Sequence, residues 1–212
     1  MNSKLYRKLF SKADLVLVLS EQWRCWIKMA LGLSNHIEVL YNPCPIVNRR
    51  DDLRKNHILF AGTIISRKGY ETLIRGFARI AQEHSDWKVI FAGNGEIANA
   101  MKIVECCGIQ NQVEFLGWVT DKDKEKVFQE ASVYCLASDG EGFPMGVLDA
   151  WAYGIPCVVT PVGGIPDIVV DGENGLVFSI GDVDGLANKL RMIISDRTLR
   201  KNIVLGQDKY VK

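Results

Sequence analysis

The sequence has few of the features that mark membrane proteins, exported proteins or nucleic-acid-binding proteins. No apolar run approaches the roughly 20 residues of a membrane-spanning helix. The N-terminal residues are not followed by the apolar segment of a signal peptide. Lys and Arg total 26 against 25 Asp and Glu, which gives a formal charge of +1 and leaves no basic patch. We therefore expect no membrane span, no export signal and no nucleic-acid partner.

The sequence also lacks the spacings of disulfide frameworks and metal sites. Six cysteines occur without a Cys-x-x-Cys pair or a neighbouring histidine. Cys135 and Cys157 fall in apolar runs, where a free cysteine acts as a small core residue. His36, His57 and His84 have no acid or nucleophile at motif spacing. These absences predict no metal and a reducing, cytoplasmic setting.

From residue 57 onward, short apolar runs alternate with helical segments. Strands are predicted at 57–62, 87–93, 113–117, 133–137, 156–160 and 176–178, and helices at 69–84, 96–107, 122–131, 145–153, 182–195 and 196–206. The alternation predicts an α/β fold with a Rossmann-like, doubly wound parallel sheet. Ligands bind such sheets at the carboxyl ends of the strands. A dehydrogenase would share the alternation but needs a Gly-x-Gly-x-x-Gly turn after its first strand, which is absent here.

The N-terminal part of the chain is organised differently. Residues 1–42 contain the end of a helix, apolar strands at 14–20 and 37–41, and a helix between those strands with Ser20 as its N-cap. Residues 43–56 are polar and turn-rich, which predicts a linker. The predicted organisation is therefore a strand-helix-strand remnant at 1–42, a linker at 43–56, a main domain at 57–206 and a tail at 207–212.

The stretch 138–149 predicts an anion site. A Gly- and Asp-rich turn precedes Pro144, which occupies a favoured position at the start of a helix. The first amides of a helix have no partner within the helix, and the helix dipole is positive there. Phosphate is a typical ligand of such a site. The amides expected to be free are those of Met145, Gly146 and Val147.

Two acids flank this turn. Glu141 lies in the loop, and Asp149 follows eight residues later, about one turn into the helix. Both could accept hydrogen bonds from hydroxyl groups on either side of a bound phosphate. The alternative is a solvated loop glutamate and a surface aspartate, and the spacing alone does not decide between the two.

Other turns are weaker candidates. Arg67 and Lys68 precede a helix and could bind a diphosphate, although the residues alone favour a solvated basic pair. The 93–96 turn is explained by a tight strand-to-helix connection, and Trp118 by ordinary packing. The run 121–126 alternates in charge and is interpreted as a solvated helix face.

Three motifs resemble glycosyltransferase family 4, a family of retaining, sugar-nucleotide-dependent enzymes with the GT-B fold. The motifs are the two acids eight residues apart, the Gly-Gly-x-x-acid turn that ends at Asp167, and the Asp-Gly-x-x-Gly turn that begins at Asp171. Two positions depart from the family pattern. The second acid is usually Glu rather than Asp149, and Thr63 stands where the family has Arg. The resemblance implies that residues 1–42 end an acceptor domain and that 57–206 form the donor-binding domain.

The resemblance implies roles for individual residues. Glu141 would be catalytic and hold the sugar near its anomeric carbon, and Asp149 would hold the ribose. The other donor-binding residues implied are Gly62, Thr63, Arg67, Lys68, Gly93, Asn94, Gly95, Leu116, Gly142, Phe143, Pro144, Met145 and Gly146. Arg67 stands next to the matching Lys68 and is a candidate replacement for the missing Arg. No metal or other cofactor is expected, because lysine and helix amides would neutralise the diphosphate.

The function implied is transfer of a sugar from a nucleoside diphosphate sugar, with retention, in polysaccharide or glycolipid synthesis. The partner beyond the nucleotide sugar would be an acceptor glycan or lipid-linked acceptor, bound through the rest of the N-terminal domain. Peripheral membrane association of the full-length protein is a further expectation. The chain alone is expected to be an inactive fragment. The alternatives are a non-catalytic nucleotide-sugar-binding module, a hydrolysing nucleotide-sugar epimerase of the same fold, and a glycosidase that uses its paired carboxylates directly.

Overall fold

A computed structural model of the chain describes residues 3–32 and 36–210. Residues 1–2 and 33–35 of the predicted N-terminal remnant, and residues 211–212 of the predicted tail, lie outside the described residues.

The N-terminal unit is a small strand-helix-strand arrangement. Its elements are α1 (Ser3–Phe10), β1 (Val16–Val18), α2 (Glu21–Leu31) and β2 (Ile37–Val39). The predicted cap is confirmed, since the Ser20 side chain accepts a hydrogen bond from the amide of Trp23 at 3.2 Å. β1 and β2 pair in parallel, and four buried residues form a separate core: Val18, Ile27, Leu31 and Ile37.

The main unit contains six strands and seven helices among the described residues. The strands are β3 (His57–Ala61), β4 (Lys88–Ala92), β5 (Val113–Gly117), β6 (Val133–Leu136), β7 (Cys157–Val159) and β8 (Leu176–Val177). The helices are α3 (Tyr70–Ala78), α4 (Ile97–Cys107), α5 (Asp121–Glu130), α6 (Met145–Ala152), α7 (Ile165–Ile168), α8 (Val183–Ser195) and α9 (Arg197–Gln207).

The predicted doubly wound parallel sheet is confirmed. The strand order is β5-β4-β3-β6-β7-β8, and every pairing is parallel. The chain moves outward from β3 to β5, returns to β6 beside β3, and then moves outward in the other direction. Right-handed crossovers in opposite directions place α3 and α6 on opposite faces of the sheet. The order therefore reverses between β3 and β6, where ligands bind in folds of this class.

The core of this unit is continuous across both faces of the sheet. The strand residues Ile58, Leu59, Phe60 and Phe91 are almost completely buried, and so is Trp151 on α6. Burial of one large apolar side chain contributes roughly 1.5–3 kcal/mol, so these residues dominate the stability of the unit. The core fixes the strands, and the strands fix where their connecting loops begin.

Two local predictions were wrong. The helix predicted at 69–84 ends at Ala78, because the following amides bond three residues back: Arg79 to Gly76 at 3.3 Å and Ile80 to Phe77 at 2.9 Å. The short helix α7 was not predicted, because Gly164 and Pro166 in and beside it are typical turn residues.

The segment predicted to be a linker is bound to the main unit. Arg49 Nε donates to the carbonyl of Ala152 at 2.8 Å. Arg54 Nη1 donates to the carbonyls of Phe128 at 2.9 Å and Ala131 at 2.8 Å. These contacts attach the segment to the ends of α5 and α6. Across residues 3–32 and 36–210, no helix is long and apolar enough to cross a membrane.

Two helix-terminal glycines allow a matched test of the fold. Gly69 and Gly108 both have φ of +70°, but a methyl group on Gly69 would collide with the carbonyl of Ala137, whereas Gly108 has open space. The left-handed conformation costs an L-residue about 1–2 kcal/mol, and overpacking adds about 1–3 kcal/mol. We expect Gly69→Ala to lower the free energy of unfolding in urea by about 2–5 kcal/mol and Gly108→Ala by about 1–2 kcal/mol. Equal losses would show that the approach of Gly69 to Ala137 is unimportant.

Candidate functional site

A cavity of about 440 Å³ lies at the carboxyl ends of β3 and β6. Nine residues implied by the resemblance line it: Gly62, Thr63, Lys68, Glu141, Phe143, Pro144, Met145, Gly146 and Asp149. Eight further residues complete the lining: Ala61, Ala92, Trp118, Val119, Lys124, Phe128, Tyr134 and Leu136. Leu116 lies in a neighbouring groove between β5 and α5, and Trp118 borders both spaces. Loops from several strands therefore meet at the β3/β6 switch point.

The 93–95 turn supports the cavity wall without lining it. A side chain on Gly93 would collide with the carbonyl of Gly62, and one on Gly95 would collide with that of Ile64. The backbones are joined by hydrogen bonds, including one from the amide of Ile64 to the carbonyl of Asn94 at 2.8 Å. Glycine is needed here because the two loops pack backbone to backbone. Gly93, Asn94 and Gly95 thus act on the position of the Gly62 loop.

Lys68 and Glu141 form an ion pair at one end of the cavity. Lys68 Nζ lies 2.7 and 2.8 Å from the two carboxylate oxygens of Glu141. Ser138 Oγ donates to the same carboxylate at 2.6 Å, and the Glu141 side chain is only 6% exposed. The carbonyl of Ser138 in turn accepts a hydrogen bond from Thr160 at the end of β7. Glu141 is therefore held in one orientation by groups from three loops.

Arg67 is directed toward the loop that carries Glu141. Its guanidinium donates to the carbonyl of Gly140 and lies 4.0 Å from Glu141, and its side chain is half-exposed. Gly142 belongs to the same loop, and its carbonyl accepts from the amide of Gly164 at 3.0 Å. Neither Arg67 nor Gly142 is part of the cavity lining as the structure stands.

The N-terminus of α6 faces the cavity. Pro144 is its N-cap, and Met145 and Gly146 are its first residues. The prediction of a free Val147 amide was wrong, since that amide donates to the carbonyl of Pro144 at 3.0 Å. The first turn is tightened to a three-residue spacing, which satisfies one of the amides usually left unpaired.

Tyr134 lies directly behind this helix terminus. A side chain on Gly146 would collide with its hydroxyl, which lies 3.4 Å from the carbonyl of Ala61. Burial raises the pKa of Tyr134 well above its usual range, so the hydroxyl stays protonated at any physiological pH. Tyr134 thus presents a neutral hydroxyl to the cavity and requires glycine at the second position of α6.

Asp149 and Lys124 form a second ion pair in the cavity. Lys124 Nζ lies 2.9 Å from Asp149 Oδ2 and 5.6 Å from the ring centre of Phe128. The interpretation of Lys124 as part of a solvated face was therefore wrong. The sequence carried a signal, because Lys124 precedes the buried Phe128 by four residues and shares its helix face. The alternating charges around Lys124 favoured the interpretation of a solvated face instead.

The Gly-Gly turn connects this site to the N-terminal unit. Gly164 packs so tightly on Phe143 that a side chain there would collide with the ring. The same ring lies 5.6 Å from that of Tyr41. Asp167 Oδ2 accepts a hydrogen bond from the amide of Glu21, the first residue of α2, at 2.7 Å. The turn thus contacts Phe143, in the loop that carries Glu141, and the first residue of α2.

The polar and charged groups of the cavity suit an anionic ligand rich in hydroxyl groups. Two lysines and a helix N-terminus offer positive charge, and two carboxylates offer acceptors for hydroxyls. In the ranges 3–32 and 36–210, no group of three or more His, Cys, Asp and Glu side chains is arranged to hold a metal ion.

These features define a doubly wound α/β domain with a polar cavity at its switch point, and comparison with known proteins gives its family. The family model described as glycosyl transferases group 1 matches residues 47–206. The chain belongs to this family.

Related sequences include bacterial glycosyltransferases. The lipopolysaccharide core biosynthesis glycosyltransferase LpsE of Rhizobium meliloti is 32% identical over 147 residues, which are 69% of this chain and 42% of LpsE. The N-acetyl-alpha-D-glucosaminyl L-malate synthase of Bacillus anthracis is 30% identical over 64% of this chain and 35% of its own length. The chain spans from 20 to 48% of the length of the relatives compared.

Solved structures show the same fold. Anabaena HepE, determined in complex with UDP and glucose, aligns with a TM-score of 0.88 at 20% identity over 99% of this chain and 62% of that protein. The C-terminal domain of LpcC, a glycosyl transferase group 1 family protein of Francisella tularensis, aligns with a TM-score of 0.68 at 26% identity over 73% of this chain and 83% of that domain. The six-stranded sheet therefore matches GT-B glycosyltransferase structures.

The Lys68–Glu141 pair can be tested by a double-mutant cycle. Lys68→Met leaves the nearly buried Glu141 carboxylate without its ammonium partner, so we expect it to lower the free energy of unfolding by about 1–3 kcal/mol. Adding Glu141→Gln should restore much of that loss, because the unpaired charge is then gone. Urea unfolding of the two single variants and the double variant measures the coupling.

The control is the pair of Arg191 and Glu83, whose side chains are 40 and 54% exposed. An exposed pair contributes at most about 1 kcal/mol, so its coupling should be smaller. A coupling at Lys68–Glu141 no larger than this control would contradict the interpretation that Lys68 holds Glu141 in one orientation.

Proposed function

We propose that this domain binds a nucleoside diphosphate sugar in the cavity and that the whole protein transfers the sugar to an acceptor with retention, as in glycosyltransferase family 4. The observation that carries the proposal is the meeting of Lys68, Glu141 and the N-terminus of α6 in one cavity at the switch point of the sheet. A diphosphate needs positive charge, and a sugar needs hydrogen-bond acceptors. The cavity offers both.

Lys68 and the first amides of α6 are the groups that would neutralise the diphosphate. Both carboxylate oxygens of Glu141 contact Lys68 Nζ. An incoming diphosphate competes with Glu141 for that ammonium. As Lys68 turns toward the phosphates, Glu141 becomes available to a sugar hydroxyl near the anomeric carbon, while Ser138 still orients it. Lys68 and the first amides of α6, which all belong to this chain, provide the positive charge for this step.

The net reaction breaks the bond between the anomeric carbon and the diphosphate oxygen. A new bond forms from that carbon to an acceptor oxygen, and the nucleoside diphosphate leaves with the bonding electron pair, while the proton of the acceptor hydroxyl passes to the departing diphosphate or to solvent. Charge that develops on the departing diphosphate is stabilised by Lys68 and by the helix dipole. The acceptor would bind on the side of the N-terminal unit, which meets the cavity through Tyr41 and Phe143.

Of the relatives named above, LpsE is named for lipopolysaccharide core biosynthesis, which supports a glycan or lipid-linked acceptor and synthesis of a polysaccharide or glycolipid. A cytoplasmic site of action with peripheral membrane association fits the same proposal. Because the chain spans less than half of the length of these relatives, we propose that the chain alone binds the donor without transferring the sugar. Measurable transfer by these 212 residues alone would refute this fragment hypothesis.

The first test is calorimetric titration with UDP, GDP, ADP and NAD. We expect one nucleoside diphosphate to bind, and Lys68→Ala to weaken it by about 1–3 kcal/mol, because a charge-assisted contact to phosphate is lost. Lys122→Ala, an exposed change on α5, should have little effect and is the control. Binding of NAD in place of every diphosphate would argue for a different enzyme class.

The second test separates donor binding from chemistry. Glu141→Gln removes the anion that competes for Lys68, so a nucleoside diphosphate should bind roughly tenfold more tightly, equivalent to about 1.4 kcal/mol. The same change in the full-length enzyme should lower sugar transfer by at least about 100-fold, in the range of other positioned carboxylates. Glu71→Gln, an exposed change on α3, is the control. Undiminished transfer by Glu141→Gln would favour a non-catalytic role for Glu141 and would reopen the alternatives of a binding module or an epimerase.

A further inference from the structure

The cavity contains two lysine–carboxylate pairs, and the donor binding proposed above assigns a role only to the pair of Lys68 and Glu141. The second pair, Lys124 with Asp149, lies along α6 from the proposed diphosphate site. Asp149 follows Met145 by four residues, which places it about 6 Å farther along the helix axis. The Asp149 side chain is 17% exposed and that of Lys124 is 45% exposed. The pair is therefore open to the cavity and enclosed on its other side.

Lys124 is held from two directions. Its Nζ donates to Asp149 Oδ2 at 2.9 Å, and the ring of Phe128 lies 5.6 Å away. Phe128 is fully buried and stacks on Tyr153, with ring centres 5.4 Å apart. A cation over the face of a buried ring is restricted in position. The ammonium therefore has a defined place in the cavity wall, unlike that of a solvated surface lysine.

The chemistry of the pair matches a vicinal diol. An ammonium has three donors and no acceptor, whereas a carboxylate has acceptors only. The contact with Asp149 uses one donor of Lys124 and one carboxylate oxygen. The remaining donors and the other oxygen, Oδ1, point to a ligand that carries a donor and an acceptor on adjacent atoms. Two neighbouring hydroxyl groups satisfy that requirement.

The family resemblance already implies that Asp149 holds the ribose. We propose that Lys124 is a second ribose-binding residue, which donates a hydrogen bond to the oxygen of one ribose hydroxyl while Asp149 accepts one from the other. This inference rests on the proposed function, since it assumes that the cavity binds a nucleotide. It adds a nucleotide-binding residue, Lys124, and a division of labour between the two side chains.

The charge of Lys124 is also needed for a second reason. The cavity contains two carboxylates, and the proposed ligand is an anion. A bare Asp149 carboxylate would repel the diphosphate at a distance of one helix turn. Lys124 offsets that charge while leaving Oδ1 free to accept. The shorter side chain of Asp149, compared with the family's usual Glu, is then compensated by the neighbouring donor.

The test compares ribose and deoxyribose ligands. UDP, 2′-deoxy-UDP, 3′-deoxy-UDP and inorganic pyrophosphate are titrated calorimetrically into the full chain and into Lys124→Met; if another base is selected in the panel above, its nucleotides replace the uridine series. We expect the native chain to prefer UDP over a deoxy analogue by roughly tenfold. Lys124→Met should weaken UDP by a similar factor and reduce that preference at one hydroxyl position, because a donor to that oxygen is lost. Pyrophosphate, which lacks a ribose, should lose less affinity than UDP in Lys124→Met, because it loses only the charge of Lys124 and no hydrogen bond to a ribose hydroxyl.

Lys122→Met is the matched control, since it removes the same charge from an exposed position on the same helix. Equal binding of all four ligands by Lys124→Met and Lys122→Met would overturn this inference and leave the donor site standing. A loss of pyrophosphate binding in Lys124→Met as large as the loss of UDP binding would also overturn it, because the lysine would then act only through its charge. Failure of every nucleoside diphosphate to bind the native chain would overturn the donor site and this inference together.

Discussion

The site depends on one constraint, which is that all six strands of the main sheet run in parallel. Each parallel connection must return to the amino edge, so every strand releases its following loop at the same carboxyl edge. The loops after β3, β4, β6 and β7 are consequently forced into contact. Glycines at positions 62, 69, 93, 163 and 164 allow those loops to approach at backbone distance, and larger residues at 69, 93, 163 and 164 would collide with a neighbouring loop. The cavity is the space that remains between them.

Electrostatics then determine what the cavity can bind. Glu141 and Asp149 are both enclosed, and each has a lysine partner from another element, Lys68 and Lys124. Neutralised in pairs, the acids do not exclude an anion, and each pair retains unused donors and acceptors. The N-terminus of α6 lies between the two pairs and adds positive potential. In our proposal, one pair serves the diphosphate and sugar, and the other serves the ribose.

The N-terminal unit contacts residues beside the cavity. Asp167 bonds the first amide of α2, and Tyr41 lies against Phe143 beside the cavity. Its own core is small, and Leu15, Leu17 and Leu19 around β1 are exposed. A two-stranded sheet with an exposed apolar face is marginal by itself. The contacts through Asp167 and Phe143 therefore help to fix this unit against the main one.

The sequence by itself determined the fold class, the parallel pairing of the strands and most of the residues that line the cavity. Apolar periodicity and glycine placement indicate these features, and both are local signals. It also determined that Glu141 and Asp149 lie eight residues apart on either side of a helix start. The tertiary structure alone decided which groups those acids contact. Lys124 and Tyr134 reach the cavity because α5 crosses back over β3 and because β6 pairs with β3, and neither relation is encoded in local spacing. Partners distant in sequence meet through packing, so the ion pairs could not be read from the motifs that contain their acids.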